Sequence, residues 1–151
     1  MRVAALAVAA LLQSPATRFA HADSLDARRV VALTNESRRQ AGLPPVTLDD
    51  RLTAAARAKL FDMLKRDYFA HRTPDGRQPW AFMQAAGYRF QVAAENLAKG
   101  YDNEPELQRA WMKSRGHRAN ILNPLFTEIG VADANGIVVV MFARPSTTPR
   151  R

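Results

Sequence analysis

The sequence contains no cysteine in 151 residues. That absence excludes a disulfide framework, a thiolate-ligated zinc centre and a cysteine nucleophile together. Histidine is scarce as well, with only His21, His71 and His117, so imidazole chemistry is confined to a few positions. There is no Gly-x-Ser-x-Gly elbow and no glycine-rich phosphate loop, which removes common signatures of serine hydrolases and nucleotide-binding folds. Long hydrophobic runs are lacking too. The longest, Val3 to Leu12, has ten residues, about half of what a membrane-crossing helix needs.

What is present fits one ordinary globular domain, with 47% hydrophobic and 24% charged residues. The formal charge is +8. Met1-Arg2, the apolar run and Ala20-His21-Ala22 stand in the order of an export signal cleaved before Asp23. Cleavage would leave a charge of +6 and two histidines, His71 and His117. The expected organisation is a signal peptide over 1–22, one domain over 23–143 and a flexible Pro/Thr/Arg tail over 144–151. The expected location is the periplasm or the outside of the cell. No nucleic-acid partner is expected, since no base-stacking platform is evident, and no transmembrane segment is expected.

Apolar periodicity predicts a first helix over Leu25 to Ala41, capped by Gly42 and stopped by Pro44-Pro45. A second helix starts at Asp49-Asp50, whose charges suit an N-terminus, and buries Leu52, Ala56, Leu60, Met63 and Leu64. Pro74-Asp75-Gly76 punctuates a loop beginning at His71. A short helix spans Pro79 to Ala86, with Trp80, Phe82 and Met83 as packing residues. Tyr88 to Val92 alternates like a strand. Asn103 followed by Glu106 reads as a capping box for a helix that buries Leu107, Ala110 and Trp111, with Gly116 as its stop. A further helical turn runs from His117 to Leu122. Ile129 and Val131 begin a strand, Asn135-Gly136 marks a hairpin, and Ile137 to Phe142 is a strand buried on both faces. The pattern predicts an α+β fold, with helix layers on either side of a small, mainly antiparallel sheet.

His71, Glu95 and His117 stand out as polar residues against this core. Two imidazoles and a carboxylate suit a divalent ion with open positions. Alternatively, Glu95 orients one imidazole as a general base, or each histidine is a plain surface or structural residue. Separations of 24 and 22 residues form no local ligand motif, so the residues alone leave these readings open. Asn96 beside Glu95 and Asn120 beside His117 are candidates to brace the site by hydrogen bonds.

Five segments taken in order are more specific. They are Leu33-Thr-Asn35-Glu-Ser-Arg38-Arg-Gln-Ala-Gly42-Leu43-Pro44, Phe69-Ala-His71-Arg-Thr-Pro74-Asp75-Gly76, Glu95-Asn96-Leu97-Ala98, Trp111-Met-Lys-Ser114-Arg-Gly116-His117-Arg-Ala-Asn120-Ile121-Leu122 and Glu128-Ile129-Gly130-Val131. Together they resemble the CAP superfamily, also called SCP-like: cysteine-rich secretory, antigen five and pathogenesis-related proteins, here in a cysteine-free bacterial form. The resemblance covers about residues 27–143. It implies a three-layer α-β-α sandwich and a cavity to which His71, Glu95 and His117 carry over. In animal and plant members a second glutamate lies three residues after a helix tryptophan, and here that position is Ser114. A hydroxyl brings no negative charge, so the resemblance implies that Zn²⁺ or another divalent metal on His71 and His117 would be held weakly.

Three functions follow as expectations. The first, favoured by the lack of a nucleophile, is an exported binding module rather than an enzyme. Its ligand would be a lipid, a cell-envelope component or a partner protein, taken in a cavity with His71, Glu95, Asn96, Ser114 and His117. The second is a divalent-metal-assisted hydrolase, with His71 and His117 as ligands and Glu95 as base or orienting carboxylate. The third leaves the cavity structural and places function on a basic rim, where Arg115 and Arg118 flank His117 and Arg72 and Arg77 flank the His71 loop.

Overall fold

The computed structural model describes residues 25–147. The expected signal peptide over 1–22 and residues 148–151 lie outside the described residues. Asp26 accepts a hydrogen bond from the Arg28 amide and opens α1 (Ala27–Gln40), as short carboxylates do at helix N-termini. The helix closes with the Leu43 amide on the Arg38 carbonyl and the Gly42 amide on that of Arg39, a Schellman pair that satisfies carbonyls otherwise left over. Its buried stripe is Val30, Thr34 and Arg38.

A two-residue strand, β1 (Thr47–Leu48), precedes α2 (Asp50–Lys65), which Asp49 caps through the Arg51 and Leu52 amides. The sequence pattern did not suggest β1, because two residues are too short to show alternation. α2 buries Leu52, Ala55, Ala56, Lys59, Leu60 and Met63, whereas Leu64 is only half-buried. α3 (Trp80–Ala85) lies beside it and buries Phe82 and Met83.

β2 (Phe90–Lys99) is the largest departure from expectation, which placed a strand over Tyr88 to Val92. Ala93 to Ala98 is alanine-rich and has little intrinsic strand preference. Its conformation comes from nine paired positions along β4, from Phe90↔Pro145 to Lys99↔Ile137, so tertiary pairing overrides local propensity.

Asn103 caps α4 (Glu104–Lys113) through the Glu106 amide, as the sequence suggested. The stop lies elsewhere. Ser114, in an extended conformation, ends α4 and starts α5 (Arg115–Ile121), so Gly116 sits inside a helix rather than after one.

β3 (Glu128–Ala134) and β4 (Ile137–Pro145) form a hairpin through Asn135 and Gly136, both at positive φ. That is the conformation a twisted two-residue turn demands. β4 runs two residues into the segment expected to be a tail: Arg144 pairs with Val92 and Pro145 with Phe90.

The sheet order is β1-β3-β4-β2, parallel only between β1 and β3. β4 is the core strand. Val138, Val140 and Phe142 pack with Val30, Leu107, Trp111 and Ile121 beneath α1, α4 and α5. Val139, Met141 and Ala143 pack with Leu52, Ala56, Met63 and Phe82 beneath α2 and α3. This is the expected α-β-α sandwich. Each fully buried large apolar side chain contributes about 1.5–3 kcal/mol, and with no cross-link available these two layers carry the stability.

Candidate functional site

The site is built on β2, which among the described residues is an edge strand paired on one side only. Strand alternation sends neighbouring side chains to opposite faces. Asn96 therefore turns to the α5 layer and Glu95 to the α2 layer, and the two do different work.

On the α2 side, the Glu95 carboxylate is almost fully buried, with 1% of its side chain exposed, and its Oε1 lies 2.7 Å from His71 Nδ1. Its Oε2 is buried with no hydrogen-bond partner among the described residues. The compensating charge is Lys59, a fully buried ammonium on α2. Its Nζ donates to Tyr68 Oη at 3.1 Å, the Ala70 carbonyl at 2.7 Å and the His71 carbonyl at 2.9 Å. All three of its donors are used, and they pin the loop that carries His71. Tyr68 passes its own hydroxyl proton toward Asp62 at 2.6 Å. Sequence reasoning missed Lys59, although the signal was there: a cation in register with the apolar stripe of Ala55, Ala56 and Leu60.

On the α5 side, Asn96 donates to the His117 carbonyl at 3.2 Å and accepts from Asn120 at 2.8 Å. Asn120 also donates to the Glu95 carbonyl at 3.4 Å, and Trp111 Nε1 reaches the Leu97 carbonyl at 3.5 Å. These bonds lash α4 and α5 to the strand and set the position of His117. Its ring lies against Trp111, with centroids 6.2 Å apart. His117 and Ser114 line an open groove of about 330 Å³ with Phe69, Lys99, Tyr101 and Trp111. No hydrogen bond joins Ser114 to His117 among the described residues, so a Ser/His nucleophile pair is not formed.

The five expected site residues thus divide. His71 and Glu95 meet directly, Ser114 and His117 share the groove, and Asn96 braces His117 from behind. Among the described residues no group of three or more His, Asp or Glu side chains is arranged to hold a metal ion. Zinc centres need at least three protein ligands in direct contact with the ion, and Glu95 Oε1 is already committed to His71. The expectation placed a weakly held ion on His71 and His117 with Glu95 as base or orienting carboxylate; Glu95 hydrogen-bonds His71 and, among the described residues, completes no three-residue ligand group. The basic rim also divides. Arg77 pairs with Asp62 and Asp75, and Arg72 donates to the Gly76 carbonyl, while Arg115 and Arg118 face a separate groove.

The two imidazoles have opposite electrostatics. The hydrogen bond that His71 donates to the Glu95 carboxylate is the main cause raising His71 above the ordinary imidazole value, against desolvation. Burial is the main cause lowering His117, with the His71 charge adding to it. Burial likewise raises Glu95, opposed by His71 and Lys59. Because His71 finds its partner only in the folded state, its stabilising effect is complete below about pH 6.5 and fades as pH rises through the raised folded value. Ring proton resonances should therefore show His71 titrating above, and His117 below, the ordinary midpoint. Glu95→Gln should bring His71 down. A wild-type His71 midpoint below the ordinary value would refute the pairing. The pairing with Glu95 thus favours the protonated form of His71, and burial favours the neutral form of His117.

A family model described as CAP, the cysteine-rich secretory protein family, matches residues 31–138. YkwD of Bacillus subtilis, described as an uncharacterized protein, is 46% identical over 104 residues, which is 69% of this chain and 40% of YkwD. The Bacillus subtilis protein YlbC, described as an uncharacterized membrane protein, is 30% identical over 69% of this chain and 30% of its own length. The chain therefore spans less than half of either relative. A solved extracellular protein containing a SCP domain, from Bacillus anthracis, superimposes with a TM-score of 0.74 at 30% identity, over 78% of this chain and 39% of that one. An outer surface protein of Borrelia burgdorferi shares the fold at a TM-score of 0.71 and 20% identity, over 82% and 98% of the two chains. The motif order, the layered sandwich and the family match agree: this chain belongs to the CAP family, in a form without cysteine.

Proposed function

We propose that the protein is an exported binding module whose groove beside His117 takes an amphiphile of the cell envelope, a lipid or a wall component. The observation that carries this reading is the lining. Phe69, Tyr101, Trp111 and Leu97 form an apolar wall, and Lys99, Ser114 and His117 supply three polar groups in the same groove. A mainly apolar concavity with a few convergent polar groups is how small-ligand sites fix orientation. Phe69 is an exposed large apolar residue on the loop pinned by Lys59, which suits a wall awaiting contact. Export is supported by the order of charge, apolar run and small-residue cleavage site at the start of the chain, and by the extracellular or outer-surface descriptions of structural relatives. Among the described residues no helix is long and apolar enough to cross a membrane.

Titration with a panel of lipids and soluble wall fragments, followed by tryptophan fluorescence, tests the reading. A ligand should perturb Trp111 saturably. Phe69→Ala should weaken that ligand about five- to tenfold, the worth of roughly 1–1.4 kcal/mol of lost apolar contact, while leaving the melting temperature nearly unchanged. A panel that produces no saturable change, or a Phe69→Ala protein that binds as well as the parent, would remove the support for this groove.

A further inference from the structure

Between Leu107 and Thr127 the chain carries Arg109, Lys113, Arg115 and Arg118 and not one aspartate or glutamate. α4 and α5 meet at Ser114 inside this stretch, so its charge gathers at one corner of the fold. Arg109 approaches Glu106 at 4.0 Å. Lys113, Arg115 and Arg118 form no ion pair among the described residues, whereas Arg39, Arg51, Arg66 and Arg77 each meet a carboxylate. The three unpaired cations line one open groove of about 380 Å³ together with Met112, Ala119 and Leu122. It shares no lining residue with the groove beside His117.

Three like charges in a concavity repel one another and focus a positive potential outward, and an anion relieves both effects. The shape of the groove narrows the choice of anion. Met112 and Leu122 are partly buried against the core, and none of the exposed large apolar residues, Leu48, Phe61, Phe69 and Leu125, lines this groove. It therefore offers no exposed apolar side chain to insert into a bilayer, so a membrane would be held by charge alone. Among the described residues no aromatic ring lines it either, so they provide no stacking platform of the kind a single-stranded nucleic-acid site uses.

We propose that the α4–α5 corner is a second binding site, for a linear phosphate-bearing polyanion. Lys113, Arg115 and Arg118 neutralise its phosphates, and Met112 and Leu122 face its uncharged linkages. Arg115 and Arg118, three residues apart on α5, share a helix face, so two of the three charges meet the chain side by side. This site is separate from the groove of the proposed function and would stand if that reading failed.

The test uses linear polyphosphate as probe, with inorganic phosphate, a mixed-sequence DNA duplex and vesicles of phosphatidylcholine and phosphatidylglycerol in parallel. The double variant Arg115→Gln/Arg118→Gln is compared with Arg28→Gln/Arg29→Gln, which removes the same charge from exposed positions on α1. The corner variant should weaken polyphosphate binding at least tenfold and lower the log–log salt slope by about 1.5, the loss of two phosphate contacts. The α1 variant should change affinity less than threefold. Equal weakening by both variants would reduce the effect to net charge and overturn the site. Inorganic phosphate binding as tightly as the polymer would overturn the chain-like ligand. Tighter binding of vesicles or duplex through the same two arginines would overturn the ligand class.

Discussion

Arg38→Met is expected to lower unfolding stability by about 3–5 kcal/mol, because it leaves buried carbonyls without a donor at about 1–3 kcal/mol each, part of which water recovers at the less buried ones. Arg38 is fully buried on α1 and meets no carboxylate among the described residues. Its Nε donates to the Pro44 carbonyl at 2.9 Å, one terminal nitrogen to the Ile121 and Asn123 carbonyls at 2.8 and 2.9 Å, and the other to the Phe126 carbonyl at 3.1 Å. Ile121 is the last residue of α5, where carbonyls lack intrahelical partners and the dipole is negative. The guanidinium thus caps α5 from another helix and ties the 121–126 segment to α1. Methionine fills much of the volume but leaves four carbonyls facing an apolar side chain. Arg38→Lys keeps the charge and loses the planar fork, so its loss should fall between the parent and the methionine variant. Urea unfolding at constant m-value measures both. A loss under about 1 kcal/mol for the methionine variant would show that water replaces the guanidinium without penalty.

Gly130→Ala should be at least as damaging. A Cβ on Gly130 would stand 2.2 Å from the Leu52 carbonyl carbon, 2.4 Å from the Thr53 nitrogen and 2.5 Å from the Leu52 carbonyl oxygen. These are backbone atoms of the first turn of α2, so no rotamer change relieves the overlap. The helix start is also fixed to the strand by the Asp49 amide on the Ile129 carbonyl at 2.9 Å. Overpacking costs about 1–3 kcal/mol where side chains can shift, and here α2 and β3 must separate, so a loss of about 3 kcal/mol or more is expected. Gly116→Ala is the control. Among the described residues nothing lies within 4 Å of a Cβ there, and the position is helical. Alanine should leave stability unchanged or raise it by about 0.5–1 kcal/mol. Thermal melts of the two variants decide the matter. A Gly130→Ala protein melting with the parent would mean that the close approach of β3 to α2 is absent in solution.

Both residues lie in the segments that carried the family resemblance, and the structure gives them a packing role rather than a chemical one. Much else was legible. Asp49 and Asn103 announced helix starts, Asn135-Gly136 the hairpin, and the apolar run from Ile137 the strand buried on both faces. What was hidden depended on partners distant in the chain. β2 is a strand because β4 lies beside it, and Glu95 and Asn96 face opposite layers only once that strand exists. Lys59 was masked by the apolar stripe in which it sits. His71, Glu95 and His117 stood out by residue type and by resemblance, but their separations say nothing of distance, and among the described residues only the first two pair directly.

The bracing of β2 has one more consequence. An unpaired strand edge is a template on which a second chain can add, and long edges invite fibrous aggregation unless they are blunted. β1, at one margin of the sheet, is only two residues long. At the other margin the Glu95 and Leu97 carbonyls are taken by Asn120 and Trp111. Trp111, which lines the groove, and Asn120, which holds Asn96 behind it, therefore also stand where an invading strand would dock, and loosening them risks solubility as well as binding.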